Sequence, residues 1–271
     1  MIDFPAFSFP KFQPGWVWLA GAGPGDPGLL TLHTVHALGH AEVILHDALI
    51  DNRILALAAA GTEVIDVGKR GGQPSSCKQF DITVALIEHA RRGRRVLRLK
   101  GGDPMMFGRG AEEALALVEA GVPFRILPGV SSAVGGLAYA GIPLTCRDTN
   151  QAVTFITGHD AGGMVPDLDW AALAKGAPVL VLFMALHNLA EIAHRLQAGG
   201  RSANEPVAIV CNATTATQTV LETTLGECAA AAATVTPPGL VVVGPVVSLR
   251  RYFAPGVPRP DQGLALDPPG A

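Results

Sequence analysis

Trp16-Val-Trp-Leu-Ala-Gly-Ala-Gly-Pro-Gly-Asp-Pro-Gly28 decides the fold. Its first half is a short apolar run that reads as a buried strand. Its second half is a glycine and proline turn that neither strand nor helix tolerates. Helical spacing resumes from about Leu29. The same order returns at Arg94–Leu99, followed by Gly101-Gly-Asp-Pro104, and at Pro123–Leu127, followed by Pro128-Gly-Val-Ser-Ser132. Glu42–His46 and Glu63–Val67 read as two more strands, and helices fit near 51–60, 79–92 and 110–120. Between Asp81 and Ala90, the residues Ile82, Ala85, Leu86 and His89 fall on one side of a helix. Strand and helix in alternation predict a mainly parallel sheet covered by helices.

A second set begins near residue 150. Ala152–Thr157, Val179–Phe183, Val207–Cys211, Gln218–Thr223 and Leu240–Val243 read as strands, with helices near 168–175, 187–198 and 226–233. The Gln218 stretch follows a strand with no helix between them. That predicts an antiparallel pair and a mixed sheet. The expected fold class is therefore α/β, with two α/β domains and a ligand cleft between them. The expected boundaries are an N-terminal extension rich in Phe and Pro over 1–15, one domain over 16–128, a second over 129–253, and a flexible Pro/Gly tail over 254–271.

Composition agrees with a packed chain. Of 271 residues 49% are hydrophobic and 16% charged, enough to bury a core and too apolar for disorder. The net charge of -3 argues against a general nucleic-acid binder. No apolar run reaches the ~20 residues of a membrane span. The first cation is Lys11, so the start lacks the basic region of a secretory signal. Cys77, Cys146, Cys211 and Cys228 are widely spaced and read as free thiols in a reducing cytoplasm. His33, His36 and His40 share helical spacing, but no carboxylate joins them as a further ligand, so no metal is expected.

Gly23, Gly25 and Gly28 formally match a dinucleotide fingerprint and would allow a nicotinamide-dependent oxidoreductase. Pro24 and Pro27, however, each remove an amide donor that a pyrophosphate needs. The loop suits a ligand without phosphates, or no ligand at all. Gly101 and Gly102 permit close backbone approach, and Asp103 is either an acceptor for a polar ligand or a turn residue before Pro104. Ser131 and Ser132 either cap the next helix or face the ligand. The loops after strands one, four and five should meet at one rim, where open α/β sheets bind ligands. His46-Asp47 and Lys69-Arg70 end neighbouring strands and should lie on the same rim. Asp47 is a candidate proton acceptor, and Lys69 a candidate donor or anion clamp. Arg109 and Arg147 sit at turns, where arginine suits carboxylate recognition.

Taken together, Gly21-Ala-Gly-Pro-Gly-Asp-Pro27, Val67-Gly-Lys-Arg70, Arg98-Leu-Lys-Gly-Gly-Asp-Pro104, Phe107-Gly-Arg-Gly110, Tyr139-Ala-Gly-Ile-Pro-Leu-Thr145 and Thr157-Gly-His159 resemble the tetrapyrrole methylase family over about residues 16–252. The block from Arg98 to Gly110 resembles the branch that acts on uroporphyrinogen III. The resemblance implies a homodimer that uses S-adenosylmethionine to methylate carbons 2 and 7 of that substrate, giving precorrin-2 for siroheme or cobalamin. A later corrin-ring methylase, such as a precorrin-4 methylase, is the alternative. The resemblance places cofactor contacts on Pro24, Gly101, Gly102, Asp103, Met106, Ser131, Ser132, Met184 and Ala213. It places an acid–base pair on Asp47 and Lys69. Arg70, Arg109 and Arg147 are the expected contacts to the substrate's carboxylates. The sequence departs from the family pattern at His46, usually Tyr; at Cys146, usually His; at Ser132, usually Ala; and at Ala213, usually Gly. A non-catalytic tetrapyrrole carrier is a third reading, distinguished by leaving S-adenosylmethionine unconsumed.

Overall fold

The computed structural model describes residues 8–68 and 79–254. Compact packing divides the chain into two units. The first runs to Gly136 and takes back Ala213–Thr217; the second holds Leu137–Asn212 and the chain from Gln218 onward.

In the first unit, β1 (Val17–Gly21), β2 (Val43–His46), β3 (Glu63–Asp66), β4 (Val96–Lys100) and β5 (Phe124–Leu127) form one sheet in the order β3-β2-β4-β1-β5. Every pairing is parallel. The inner strands β1, β2 and β4 are buried along their whole length, as a parallel sheet covered on both faces requires. α1 (Leu32–Leu38) and α2 (Asn52–Leu55) bring Leu38 and Ile54 onto the face carrying Trp18, Ile44, Leu97 and Leu99. α3 (Gln79–Arg91) and α4 (Gly110–Glu119) bring Ile82, Leu86, Ala114 and Leu117 onto the opposite face, with Val17, Leu19, Leu45 and Val96. Ile82, Leu86 and Ala90 repeat every four residues, so one stripe of α3 meets the sheet. Two helix starts are set by capping side chains: Thr31 accepts from the Thr34 amide, and Asp51 from the Arg53 amide.

The described part of the N-terminal extension packs its rings on this unit. Phe12 stacks on Trp18 at 4.1 Å and Phe9 on His36 at 4.6 Å. His33 meets Phe9 edge-on, and the His40 Nδ1 hydrogen bonds the His36 carbonyl. Partial burial, with His40 beside it, lowers the His36 pKa. Among the described residues no group of three or more His, Cys, Asp and Glu side chains is placed to hold a metal ion.

The second unit begins with α5 (Leu137–Tyr139). Its sheet contains β6 (Thr154–Thr157), β7 (Leu180–Phe183), β8 (Pro206–Cys211), β9 (Thr219–Thr224) and β10 (Gly239–Val243), in the order β6-β7-β10-β8-β9. β6 and β7 are parallel; the other three pairings are antiparallel. The mixed sheet expected from the adjacent runs at Val207 and Gln218 is thus present. α6 (Trp170–Gly176), α7 (Leu189–Ala198) and α8 (Cys228–Ala232) pack Trp170, Ile192, Leu196 and Cys228 on one face of the sheet. α9 (Arg250–Phe253) closes the described chain. Among the described residues no helix is long and apolar enough to cross a membrane.

Candidate active site

The loops after β1, β4 and β5 meet, as their positions in the sequence predict. The Gly23 and Gly102 amides each donate to the other's carbonyl, at 3.2 and 2.8 Å. The Gly129 amide donates to Asp103 Oδ2 at 2.9 Å. A β-carbon on Gly21 would lie 2.5 Å from both the Gly102 carbonyl oxygen and the Gly129 Cα. One on Gly129 would lie 2.2 Å from the Gly102 oxygen. Three strand ends therefore touch backbone to backbone, which only glycine permits. Ser131 and Ser132 follow directly. A β-carbon built on Gly101, by contrast, meets nothing within 4 Å. The rim thus has a tight glycine weld and, next to it, open space against bare backbone.

The first loop has few amide donors to offer a phosphate. Pro24 and Pro27 have none. The Ala22 amide is spent on Lys100, that of Gly23 on Gly102, that of Gly28 on Asp26 Oδ1, and that of Asp26 on Thr214 Oγ1. An acidic side chain inside the loop would also repel a phosphate. This chemistry disfavours a pyrophosphate seat and suits an uncharged nucleoside or a sulfonium ligand. Thr214 and its neighbour Ala213 lie beside Gly25, so two of the expected cofactor positions, Pro24 and Ala213, fall on facing segments of the first unit.

Asp103 ties the loops as well as lining them. Its Oδ1 accepts from the Met105 amide at 2.8 Å and its Oδ2 from Gly129. Each carboxylate oxygen has a second lone pair, so the group can still accept from a ligand. Ser131 is buried and caps the turn that follows, its Oγ accepting from the Ala133 amide. Ser132 is half-buried beside Gly102. Met106 is half-buried in the loop that leads to Arg109, which adopts a left-handed backbone at φ 59° and pairs with Glu112 at the surface.

Asp47 extends the ladder beyond β2, its amide donating to the Leu99 carbonyl. One carboxylate oxygen pairs with the Arg98 guanidinium; the other is 3.4 Å from the Gly101 amide. Its side chain is one-third exposed, so it faces outward while anchored from behind. Arg98 is only 2% exposed, and its Nε is 3.2 Å from Glu113 Oε1. Lys100 Nζ is 2.9 Å from the same oxygen, and Glu113 is fully buried. Two carboxylates and two cations thus form one connected group. Burial pushes the Lys100 ammonium below its usual value, and Arg98 adds to this; Asp47 and Glu113 oppose it. His46 turns its Nδ1 to the Asp47 carbonyl at 2.9 Å; since a carbonyl only accepts, that nitrogen carries the proton.

Sequence motifs alone give no role to Arg98, Lys100 or Glu113. A signal was there: Arg98 and Lys100 alternate on one face of a strand whose neighbours are all apolar. Cations in such a place must be paired.

Met184 and Arg147 belong to the second unit. Met184 follows β7 in a left-handed conformation at φ 52°, uncommon for a side chain of its size, and is exposed. Arg147 is exposed on a loop held by the buried Asn150. The Asn150 Oδ1 accepts from the Cys146 amide, and its Nδ2 donates to the carbonyls of Leu144 and Ala152. Lys69 and Arg70 lie outside the described residues, as do Cys77 and the C-terminal tail.

Comparison with known proteins gives this geometry a setting. The profile of the tetrapyrrole (corrin/porphyrin) methylases matches residues 17–229. A uroporphyrinogen-III C-methyltransferase from Sinorhizobium sp is 58% identical over 92% of this chain and 90% of its own length. Siroheme synthase 2 of Aeromonas hydrophila is 46% identical over 90% of this chain, which spans 52% of that longer protein. The crystal structure of a uroporphyrin-III C-methyl transferase from Thermus thermophilus, complexed with S-adenyl homocysteine, superposes with a TM-score of 0.75 at 42% identity. It covers 86% of this chain and 99% of the other.

Proposed function

The chain belongs to the tetrapyrrole methylase family, and on that premise we propose that it transfers methyl groups from S-adenosylmethionine to carbons 2 and 7 of uroporphyrinogen III. The product is precorrin-2, which feeds siroheme or cobalamin synthesis. The observation that carries this reading is the 58% identity along nearly the full length of a uroporphyrinogen-III C-methyltransferase. The donor-poor glycine rim supports it independently. The alternative, a later corrin-ring methylase, is not favoured, because the similar proteins described above are named for uroporphyrinogen III or siroheme. A nicotinamide enzyme is disfavoured by the spent amides of the first loop.

When bound, S-adenosylmethionine supplies a sulfonium methyl that an electron-rich ring carbon attacks, so the chain need offer no nucleophile. The protein's tasks are alignment, water exclusion and proton removal. Pro24, Gly101, Gly102, Met106, Ser132 and Ala213 offer backbone or small side chains for close approach to the cofactor. Asp103 and Ser131 fix those loops, and Met184 is the contact proposed in the second unit. The exposed oxygen edge of Asp47 accepts the proton that leaves the macrocycle, with Lys69 as its acidic partner. Arg70, Arg109 and Arg147 meet carboxylates of the substrate. The homodimer implied by the family and the cytoplasmic location read from the free thiols are part of the same proposal.

Asp47→Asn tests the acid–base assignment. Single-turnover methyl transfer should slow about a hundredfold or more, while S-adenosylhomocysteine affinity stays close to that of the unaltered protein. An unchanged transfer rate would remove Asp47 from the role.

A further inference from the structure

Glu113 and Lys100 are buried, charged and unused by the mechanism above. Their side chains are shut off from solvent at the rim, 0% and 3% exposed. Nor does packing alone account for them. A buried ion pair is seldom more stable than a well-packed apolar pair of similar volume. Glu113 accepts from Arg98, which holds the proposed proton acceptor, and Lys100 donates to that same Glu113 oxygen. We infer that Glu113 and Lys100 are positioning residues that act through Arg98 to set how readily Asp47 accepts a proton. This inference rests on the base role proposed for Asp47.

The argument is one of charge balance. Arg98 divides its guanidinium between Asp47 and Glu113 and also donates to the carbonyls of Leu45 and Leu99. Glu113 in turn is shared by Arg98 and Lys100. With Glu113 ionised, one of the two cations behind Asp47 is cancelled. Asp47 then keeps an anchoring cation without facing an excess of positive charge. An excess would hold the carboxylate as an anion too firmly to act as a base; a deficit would let it protonate before the substrate arrives.

Lys69 and Arg70, proposed for the same site, lie outside the described residues. The charges acting on Lys100 are Arg98, Asp47 and Glu113. His46, the last residue of β2, shares the Ile44 face, and beside it on β3 is Asp66, whose carboxylate accepts from the Gly68 amide. From α3, Ile82 and Leu86 join the same apolar face as Ala114 and Leu117 of α4. Arg109 and Glu112, ahead of Glu113, pair with each other in solvent.

The two side chains therefore have opposite effects, which a purely structural role does not produce. Glu113→Gln leaves both cations uncancelled. The acidic limb of the single-turnover rate against pH should move down by about one unit, and the plateau should fall about threefold. Lys100→Met removes a cation, and the limb should move up by about one unit. The double variant restores the balance and should bring the limb back to that of the unaltered protein. Folding of each variant is checked by S-adenosylhomocysteine binding; if Glu113→Gln does not fold, the direction of the limb in Lys100→Met decides alone. Limbs that move together or stay in place, or a double variant that remains displaced, overturn this inference while leaving the base assignment standing. If Asp47→Asn itself retains the limb, the base assignment falls and takes the inference with it.

Discussion

Asn150 and Arg147 divide a task between a buried amide and an exposed cation. Asn150 spends its side chain on three backbone groups and so fixes the loop; Arg147 is exposed to solvent, which leaves it open to the substrate contact proposed for it. The two should respond differently to truncation. Asn150→Ala strands buried backbone partners and should cost about 3 kcal/mol in urea unfolding, with tetrapyrrole affinity falling as well. Arg147→Ala should leave the unfolding midpoint in place and weaken tetrapyrrole binding about tenfold. Unaltered affinity in Arg147→Ala excludes that residue from the carboxylate clamp. The sequence pointed to Arg147 through its place at a turn. It did not point to Asn150, because an asparagine in a loop has the same local pattern whether it faces water or three carbonyl and amide groups. The Arg98–Glu113 contact was hidden for a related reason: fifteen residues separate the partners, and only the fold of β4 and α4 brings them together.

At the level of elements, the glycines at the ends of β1, β4 and β5 perform two separate jobs. Gly21 and Gly129 allow backbones to touch, and an added β-carbon at either would strike backbone that cannot move aside. Gly101 faces open space, so an added methyl group strikes only what comes to bind. Gly21→Ala should therefore cost about 3 kcal/mol or more in stability and lose cofactor binding with it. Gly101→Ala should keep its stability and still bind S-adenosylhomocysteine more weakly. Equal stability losses in the two variants would contradict this division. The elements themselves were legible because β1 and β4 are continuous apolar runs closed by glycine and proline. Their ends lie within a residue or two of the positions read from sequence. The strand order was not legible, since β4 enters between β2 and β1 through packing far apart in the chain. The return of Ala213–Thr217 to the first unit was equally hidden, because the contact that reveals it joins Asp26 to Thr214.

For the whole molecule, the buried thiols set an alkaline limit to stability. Cys228 has no exposed surface, and burial pushes its pKa from 9.0 up to about 11. The unfolded chain releases that proton first. Stability is thus fully present below about pH 9 and is lost as pH rises toward 11, by up to about 2 kcal/mol. Burial raises the Cys211 pKa too and adds to the loss. The depressed Lys100 acts in the opposite sense, so the comparison must be made against a variant. Cys228→Ala should show a shallower fall in urea stability between pH 8 and 10.5 than the unaltered protein; parallel curves would refute the assignment. The central claim concerns chemistry, and one measurement reaches it most directly. The purified chain is incubated without oxygen with uroporphyrinogen III and isotopically labelled S-adenosylmethionine, and the tetrapyrrole is read by mass. The account predicts a product carrying two labelled methyl groups; a tetrapyrrole of unchanged mass beside intact S-adenosylmethionine would contradict it.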